Sequence, residues 1–415
     1  MNCIRLFPRR LYLVLLSIIL SAIYPLRWFV LFRFDEHHTS FVTHFLNVRA
    51  DESKIVWYPL LIFLFILFSF AFFIPRQTTV ILKEKYKSFI NMMILTAILL
   101  KIAQILLGIR YGKEGIGIGR LFAFLDGLIP LNFFLIIVFI FFNNPEKMIV
   151  LLCYIVLTTL SASKAGILHA VLSLYCVNIL KGGRIINRKF IILVSLIIVS
   201  FPILYYIVAG MRRDSFSFNN MVEGGLKDFL GKENIIKYAL ILLSRRITAI
   251  DILLVPKIEG NITFSFLSTL TSFLTGLFPS SFIYILFPKI TNGRLIGQGR
   301  LFAEEFFGQE KIVVNSFESS LYGLIYFSDN KISIIVLLLL LIIGSFLLFF
   351  LYKKKWIISL LMVYFIQNFC VVIMTGNMAA IGVIFRQAFA FIFFINIYNG
   401  MRRNGFLARG NIYYK

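Results

Sequence analysis

Ile332-Ser333-Ile334-Ile335-Val336-Leu337-Leu338-Leu339-Leu340-Leu341-Ile342-Ile343-Gly344-Ser345-Phe346-Leu347-Leu348-Phe349-Phe350-Leu351 runs for 20 residues without a charge. At 1.5 Å per residue it predicts a helix about 30 Å long, the thickness of a bilayer's hydrocarbon core. Similar runs recur along the chain. Of its 415 residues 60% are hydrophobic and only 15% charged, where soluble domains run at about 45–50% and about 25%. A β-barrel would show short alternating segments instead. The expected fold class is therefore all-α: a polytopic helical membrane protein.

The spans fall at 11–32, 55–75, 88–107, 121–142, 148–162, 165–180, 190–210, 332–351, 356–375 and 378–399, so about ten are expected. Three regions follow: spans one to seven in 1–210, a large loop in 211–331, and the last three spans with a basic tail in 332–415. The loop carries 11 of the chain's 19 acidic residues and 13 of its 42 Lys+Arg. A bundle that only sat in lipid would not require it. Two stretches inside it, 235–256 and 262–288, are apolar enough to be interfacial or re-entrant helices, or to raise the count to twelve. Arg245, Arg246 and Asp251 in the first make a plain crossing costly.

With the N-terminus inside, the inner segments are 1–10, 76–87, 143–147, 181–189, 352–355 and 401–415. They hold 19 Lys+Arg and two acids, Glu84 and Glu146. The positive-inside rule then puts both termini in the cytoplasm and the large loop outside. The N-terminal Arg5–Arg10 and Leu11–Leu20 resemble a signal peptide, but the apolar run continues toward Phe32, so an uncleaved first span is expected. The net charge of +23 sits in short connections rather than on one soluble face, which argues against a nucleic-acid reader. Cys3, Cys153, Cys176 and Cys370 show neither a disulfide framework nor zinc spacing.

Ionisable residues within spans are candidates for function. Arg27 and Lys101 lie within snorkelling reach of an interface. His169 reads as a packing histidine, and Asp126 as the partner of a bundle cation such as Arg120. Arg386, flanked by apolar residues and followed by Gln387, cannot easily reach the cytoplasm and is expected to face an internal polar cavity. Lys164 sits in the tight turn Leu160-Ser161-Ala162-Ser163-Lys164-Ala165-Gly166, where a cation on a stiff hairpin can meet an anionic headgroup. The loop adds Arg212, Arg213, Arg245, Arg246, Arg294 and Arg300. Guanidinium forks suit bidentate contact with phosphate, so Lys164, Arg213, Arg245, Arg294, Arg386 and Arg120 form a candidate diphosphate-binding set. The loop has no histidine, so a general base there would be Asp251, Glu304, Glu305 or Glu318. A competing constellation is Asp35-Glu36-His37-His38, whose residues could bind a divalent metal.

Three stretches together resemble the bacterial O-antigen polymerase (Wzy-type) family of oligosaccharide repeat-unit polymerases. The Ser161–Gly166 turn is similar to that family's Ser-Arg-Gly/Ala turn, with Lys164 in place of arginine. Leu277-Phe278-Pro279 through Pro288, with Asn292-Gly293-Arg294 and Gly299-Arg300-Leu301, resembles its proline-bounded, glycine-rich periplasmic loop. Phe317-Glu318-Ser319-Ser320-Leu321-Tyr322-Gly323 is similar to its Gly-Glu-x-Tyr-x-x-x-Gly segment, with Phe317 replacing the usual glycine. The resemblance implies a GT-C-like bundle in the bacterial inner membrane with its site facing the periplasm. It implies a growing glycan transferred from undecaprenyl pyrophosphate to a new lipid-linked repeat unit. Glu318 would be the base, and Arg246 and Arg300 would stabilise the leaving diphosphate, with neither metal nor cofactor. Donor and acceptor are both undecaprenyl pyrophosphate-linked oligosaccharides in contact with membrane lipids; a chain-length regulator protein is a candidate partner, and nucleic acid is not. Two readings compete. One is an O-antigen ligase, or a metal-dependent lipid-linked glycosyltransferase using Asp35 and Glu36. The other is a lipid-linked oligosaccharide flippase, for which broken helices near the midplane would speak.

Overall fold

The computed structural model describes residues 3–21, 54–82, 84–107, 118–161, 165–186, 266–278, 320–326, 328–351 and 355–403, with a few isolated positions between 188 and 195. Numbered over these, the elements are β1 (Cys3–Leu6), α1 (Pro8–Ser21), α2 (Lys54–Ser69, continued by one 3₁₀ turn, Phe70–Phe73), β2 (Thr78–Ile81), α3 (Glu84–Leu106), α4 (Ile118–Leu128) and α5 (Leu131–Phe141). There follow α6 (Asn144–Leu160), α7 (Ala165–Leu180), α8 (Phe266–Leu277), α9 (Ser320–Tyr326), α10 (Lys331–Leu351), α11 (Lys355–Thr375) and α12 (Met378–Arg403). Helices dominate, as expected.

Among the described residues, three helical stretches are long and apolar enough to cross a membrane: Tyr86–Leu106, Phe124–Phe141 and Met378–Arg403. They coincide with the segments 88–107, 121–142 and 378–399 read from the sequence. Helices also run over 54–73, 144–160, 165–180, 331–351 and 355–375, within or overlapping the segments 55–75, 148–162, 165–180, 332–351 and 356–375. The segments 190–210 and 235–256 fall outside the described residues or almost so.

The expected span over 121–142 is not one helix. It breaks at Ile129–Pro130 into α4 and α5, with Pro130 extended at φ −75°, ψ 131°. Proline has no N–H to give to the preceding turn, and its ring clashes with the carbonyl four residues back. The break leaves the last carbonyls of α4 and the first N–H groups of α5 without helical partners deep in an apolar bundle. Asn132 meets part of that need, its Oδ1 accepting from the N–H of Phe133 at 3.0 Å.

A second departure from an all-α reading is a two-stranded antiparallel ribbon, β1 on β2, with Cys3 opposite Ile81 and Leu6 opposite Thr78. Thr78-Thr79-Val80-Ile81 is a β-branched run, which favours a strand. Contacts spread from this ribbon. The N–H of Phe7 donates to the carbonyl of Leu180 at 2.8 Å. Arg9 donates to the carbonyls of Ile74 (2.7 Å) and Phe72 (2.6 Å), and Lys181 donates to that of Phe139 (2.9 Å). Glu146 takes up Lys87 at 2.9 Å and the backbone N–H of Asn143 at 3.1 Å, and Tyr86 donates to Asn399 at 3.4 Å. The described parts of the basic connections, 3–10, 76–82, 84–87, 143–147 and 181–186, thus gather at one end of the bundle, with the end of α12.

In the region 211–331, α8 packs on the first half of α12. The backbones cross at Gly276 and Gly382: a Cβ on Gly276 would collide with the carbonyl of Ala379, and one on Gly382 with that of Phe273. Only glycine permits so close a crossing, as between membrane helices generally. The 12 residues of α8 make about 18 Å of helix, well short of a crossing. Its first N–H, on Phe266, donates to Asp329 at 3.1 Å, tying it to the turn before α10. The motif around Tyr322 forms α9, buried along Ser320–Leu324 and capped by the Ser320 hydroxyl, which accepts from the N–H of Gly323 at 3.2 Å.

Candidate functional site

A cluster of polar groups surrounds the α4–α5 break, deep in the apolar bundle. On α3, Lys101 faces Asp126 of α4, with Nζ 2.8 Å from Oδ2 and about a fifth of each side chain exposed. One turn further along α3, the Gln104 amide donates to the carbonyl of Phe122 at 3.0 Å. The partner of Asp126 is thus a bundle cation, as expected in kind: among the described contacts it is Lys101, while the side-chain contacts of Arg120 lie outside the described residues. The physical reason is proximity: α3 packs along α4, and a bare ammonium or carboxylate in that environment is costly, whereas the pair is tolerable.

Arg386 reaches the same place from α12. Its guanidinium carbon lies 5.8 Å from the centre of the Phe124 ring, a cation–π contact. Its other neighbour is Gly127: a Cβ there would stand 2.5 Å from one terminal guanidinium nitrogen. The Nε of Arg386 is buried and has no hydrogen-bond partner among the described residues. Beside it, the Tyr364 hydroxyl of α11 donates to the side-chain oxygen of Gln387.

Charge decides what this arrangement can do. Among the described residues Lys101 and Asp126 cancel, and Arg386 is left without a counter-charge. An unmet buried donor costs about 1–3 kcal/mol, more when charged. Buried polar groups are nearly always paired, so each exception calls for an explanation. An anionic group reaching Arg386 would supply the missing acceptor. Arg386 points toward α4, against Phe124 and Gly127.

Arg120 lies in the first turn of α4, on the same short helix as Phe124, Asp126 and Gly127. His169 is half-buried on α7. The turn that carries Lys164 joins α6 to α7. Ser161 closes α6 by donating to the Thr158 carbonyl at 3.0 Å, and Gly166 packs so tightly on Thr158 that any Cβ would overlap it. Lys164 itself, Arg213, Arg245, Arg246, Arg294, Arg300, Glu318, Asp35 and Glu36 lie outside the described residues. Sequence reasoning missed the pairing of Lys101 with Asp126 and the packing of Arg386 on Gly127. The one available signal was Pro130 four residues after Asp126, which marks a helix break next to an intramembrane acid.

No family model matches the chain, and no curated protein or solved structure matches it.

Proposed function

We propose that this protein is a membrane glycosyltransferase that polymerises lipid-linked oligosaccharide repeat units, with Arg386 as part of the site that receives the diphosphate. The observation that supports the reading best is the buried Nε of Arg386, which has no hydrogen-bond partner among the described residues. The reaction class itself comes from the sequence resemblance. In this reading the glycan leaves undecaprenyl pyrophosphate on the periplasmic face. Arg246, Arg300 and Arg386 meet the developing negative charge, Lys164, Arg120, Arg213, Arg245 and Arg294 hold the headgroups, and Glu318 takes the acceptor hydroxyl's proton. The apolar bundle holds two polyprenyl tails and so sets the headgroups in register. The basic connections face the cytoplasm.

The test is gel analysis of surface polysaccharide in a deletion strain complemented with Arg246→Ala, Arg300→Ala, Glu318→Ala or Arg386→Ala. A single-unit band in place of the ladder supports the site; a full ladder from all four refutes it. One observation favours the second reading, a flippase: the helix broken at Pro130 beside an intramembrane ion pair. Single lipid-linked units that accumulate on the cytoplasmic face after deletion would indicate the flippase. Accumulation on the periplasmic face would indicate the polymerase.

A further inference from the structure

We infer that Gly127 is a positioning residue: the absence of a side chain there sets where the Arg386 guanidinium lies, and with it the anion that the guanidinium meets. The inference rests on the reading of Arg386 as a diphosphate contact.

The argument starts from space. Arg386 is a long side chain with many rotamers, and holding it in one costs entropy. Two neighbours on one turn of α4 confine it. Phe124 offers a ring face 5.8 Å from the guanidinium carbon. Gly127, three residues on and therefore on the same helix face, offers a notch. A Cβ at Gly127 would stand 2.5 Å from a terminal nitrogen, 3.1 Å from the guanidinium carbon and 3.6 Å from Nε. The first distance is untenable and the second tight, so with alanine at 127 the whole fork moves off α4. The backbone at Gly127 is ordinary helix, so glycine is not required there for its conformational freedom. In a helix interior it is in fact the poorer choice by about 1 kcal/mol against alanine. What it provides is room.

The notch is itself fixed in place. Asp126, the adjacent residue, is tied to Lys101 of α3 at 2.8 Å, and Gln104 holds the Phe122 carbonyl at 3.0 Å. The turn of α4 that carries Phe124 and Gly127 is therefore pinned to α3 on one side while it seats Arg386 of α12 on the other. Bidentate recognition of a phosphate needs a fork in one orientation, and this seat supplies it. A lysine at 386 needs no such notch, since its ammonium is compact and lacks a fork.

The experiment is a double-mutant cycle on the purified full-length protein in nanodiscs of phosphatidylethanolamine and phosphatidylglycerol. It reads the Kd for undecaprenyl diphosphate, with thermal stability alongside. Gly127→Ala is expected to weaken binding about tenfold, the worth of one charge-assisted hydrogen bond, without lowering thermal stability. In an Arg386→Lys background the same change is expected to cost nothing further. An equal loss in both backgrounds, or no loss in either, overturns the inference while leaving the Arg386 reading standing. An Arg386→Lys protein that binds like the parent overturns the reading and the inference with it. Should Gly127→Ala fail to accumulate, Gly127→Ser, which places the same Cβ against the guanidinium, takes its place in the cycle, with the same two backgrounds and the same outcomes.

Discussion

At the scale of single residues, the ion pair and Arg386 behave differently because, among the described residues, one is matched and the other is not. Asp126→Asn leaves Lys101 buried without its counter-charge. Removing one partner of a fully buried pair costs about 3–5 kcal/mol, and a pair about one-fifth exposed should cost about 2 kcal/mol after solvent screening. The melting temperature of the purified protein should fall accordingly. The charge-swapped double variant, Lys101→Asp with Asp126→Lys, should recover most of the loss. Recovery would be absent if Lys101 stood alone. A second residue-scale prediction concerns Lys181, which lies beyond the end of α7. Burial, with Lys147 nearby, pushes its amine from 10.5 down to about 8. Between those values the unfolded chain holds a proton that the folded chain has released, so stability should rise with pH across that window. The rise should be about 1 kcal/mol, since the group is half-exposed, and Lys181→Met should abolish it in denaturation series run from pH 8 to 10.5.

At the scale of elements, most helices were legible and their breaks were not. Apolar length is a sufficient signal for a segment such as Lys331–Leu351, because a bilayer leaves the backbone no other way to satisfy its polar groups. Pro130 was visible within 121–142, yet a proline inside a span is compatible with a kink as well as a break; packing decides between them. The ribbon of Cys3–Leu6 on Thr78–Ile81 was not read, since four-residue strands joined across more than 70 residues of sequence leave only a weak local pattern. The α8–α12 crossing was equally hidden. Gly276 and Gly382 are two glycines among 26, and nothing local marks them as partners. Gly382→Leu should force the two backbones apart and cost about 1–3 kcal/mol, visible as lower thermal stability and faster proteolysis of the 266–278 region. Gly344→Leu is the control: a Cβ there meets nothing within 4 Å, so stability should be unchanged.

At the scale of the whole molecule, the described parts of four basic connections, 3–10, 76–82 with 84–87, 143–147 and 181–186, meet at one end, through Phe7–Leu180, Lys87–Glu146 and Lys181–Phe139. The charge asymmetry read from the sequence and the packing of the bundle agree on that grouping. The candidate site was legible only in part. Arg386 stood out because a guanidinium in an apolar span is expensive wherever it points. Its surroundings did not, because Phe124, Gly127 and the Lys101–Asp126 pair come to it from helices far apart in the chain. The loop residues proposed to complete the site belong to segments outside the described residues. The central claim is that this chain joins lipid-linked repeat units, and purified protein in proteoliposomes tests it most directly. Supplied with single undecaprenyl pyrophosphate-linked units, with EDTA present and no nucleotide sugar, it should build a ladder of lengthening glycans, and Arg386→Ala should not. Units that stay single, or that only change leaflet, would contradict the account.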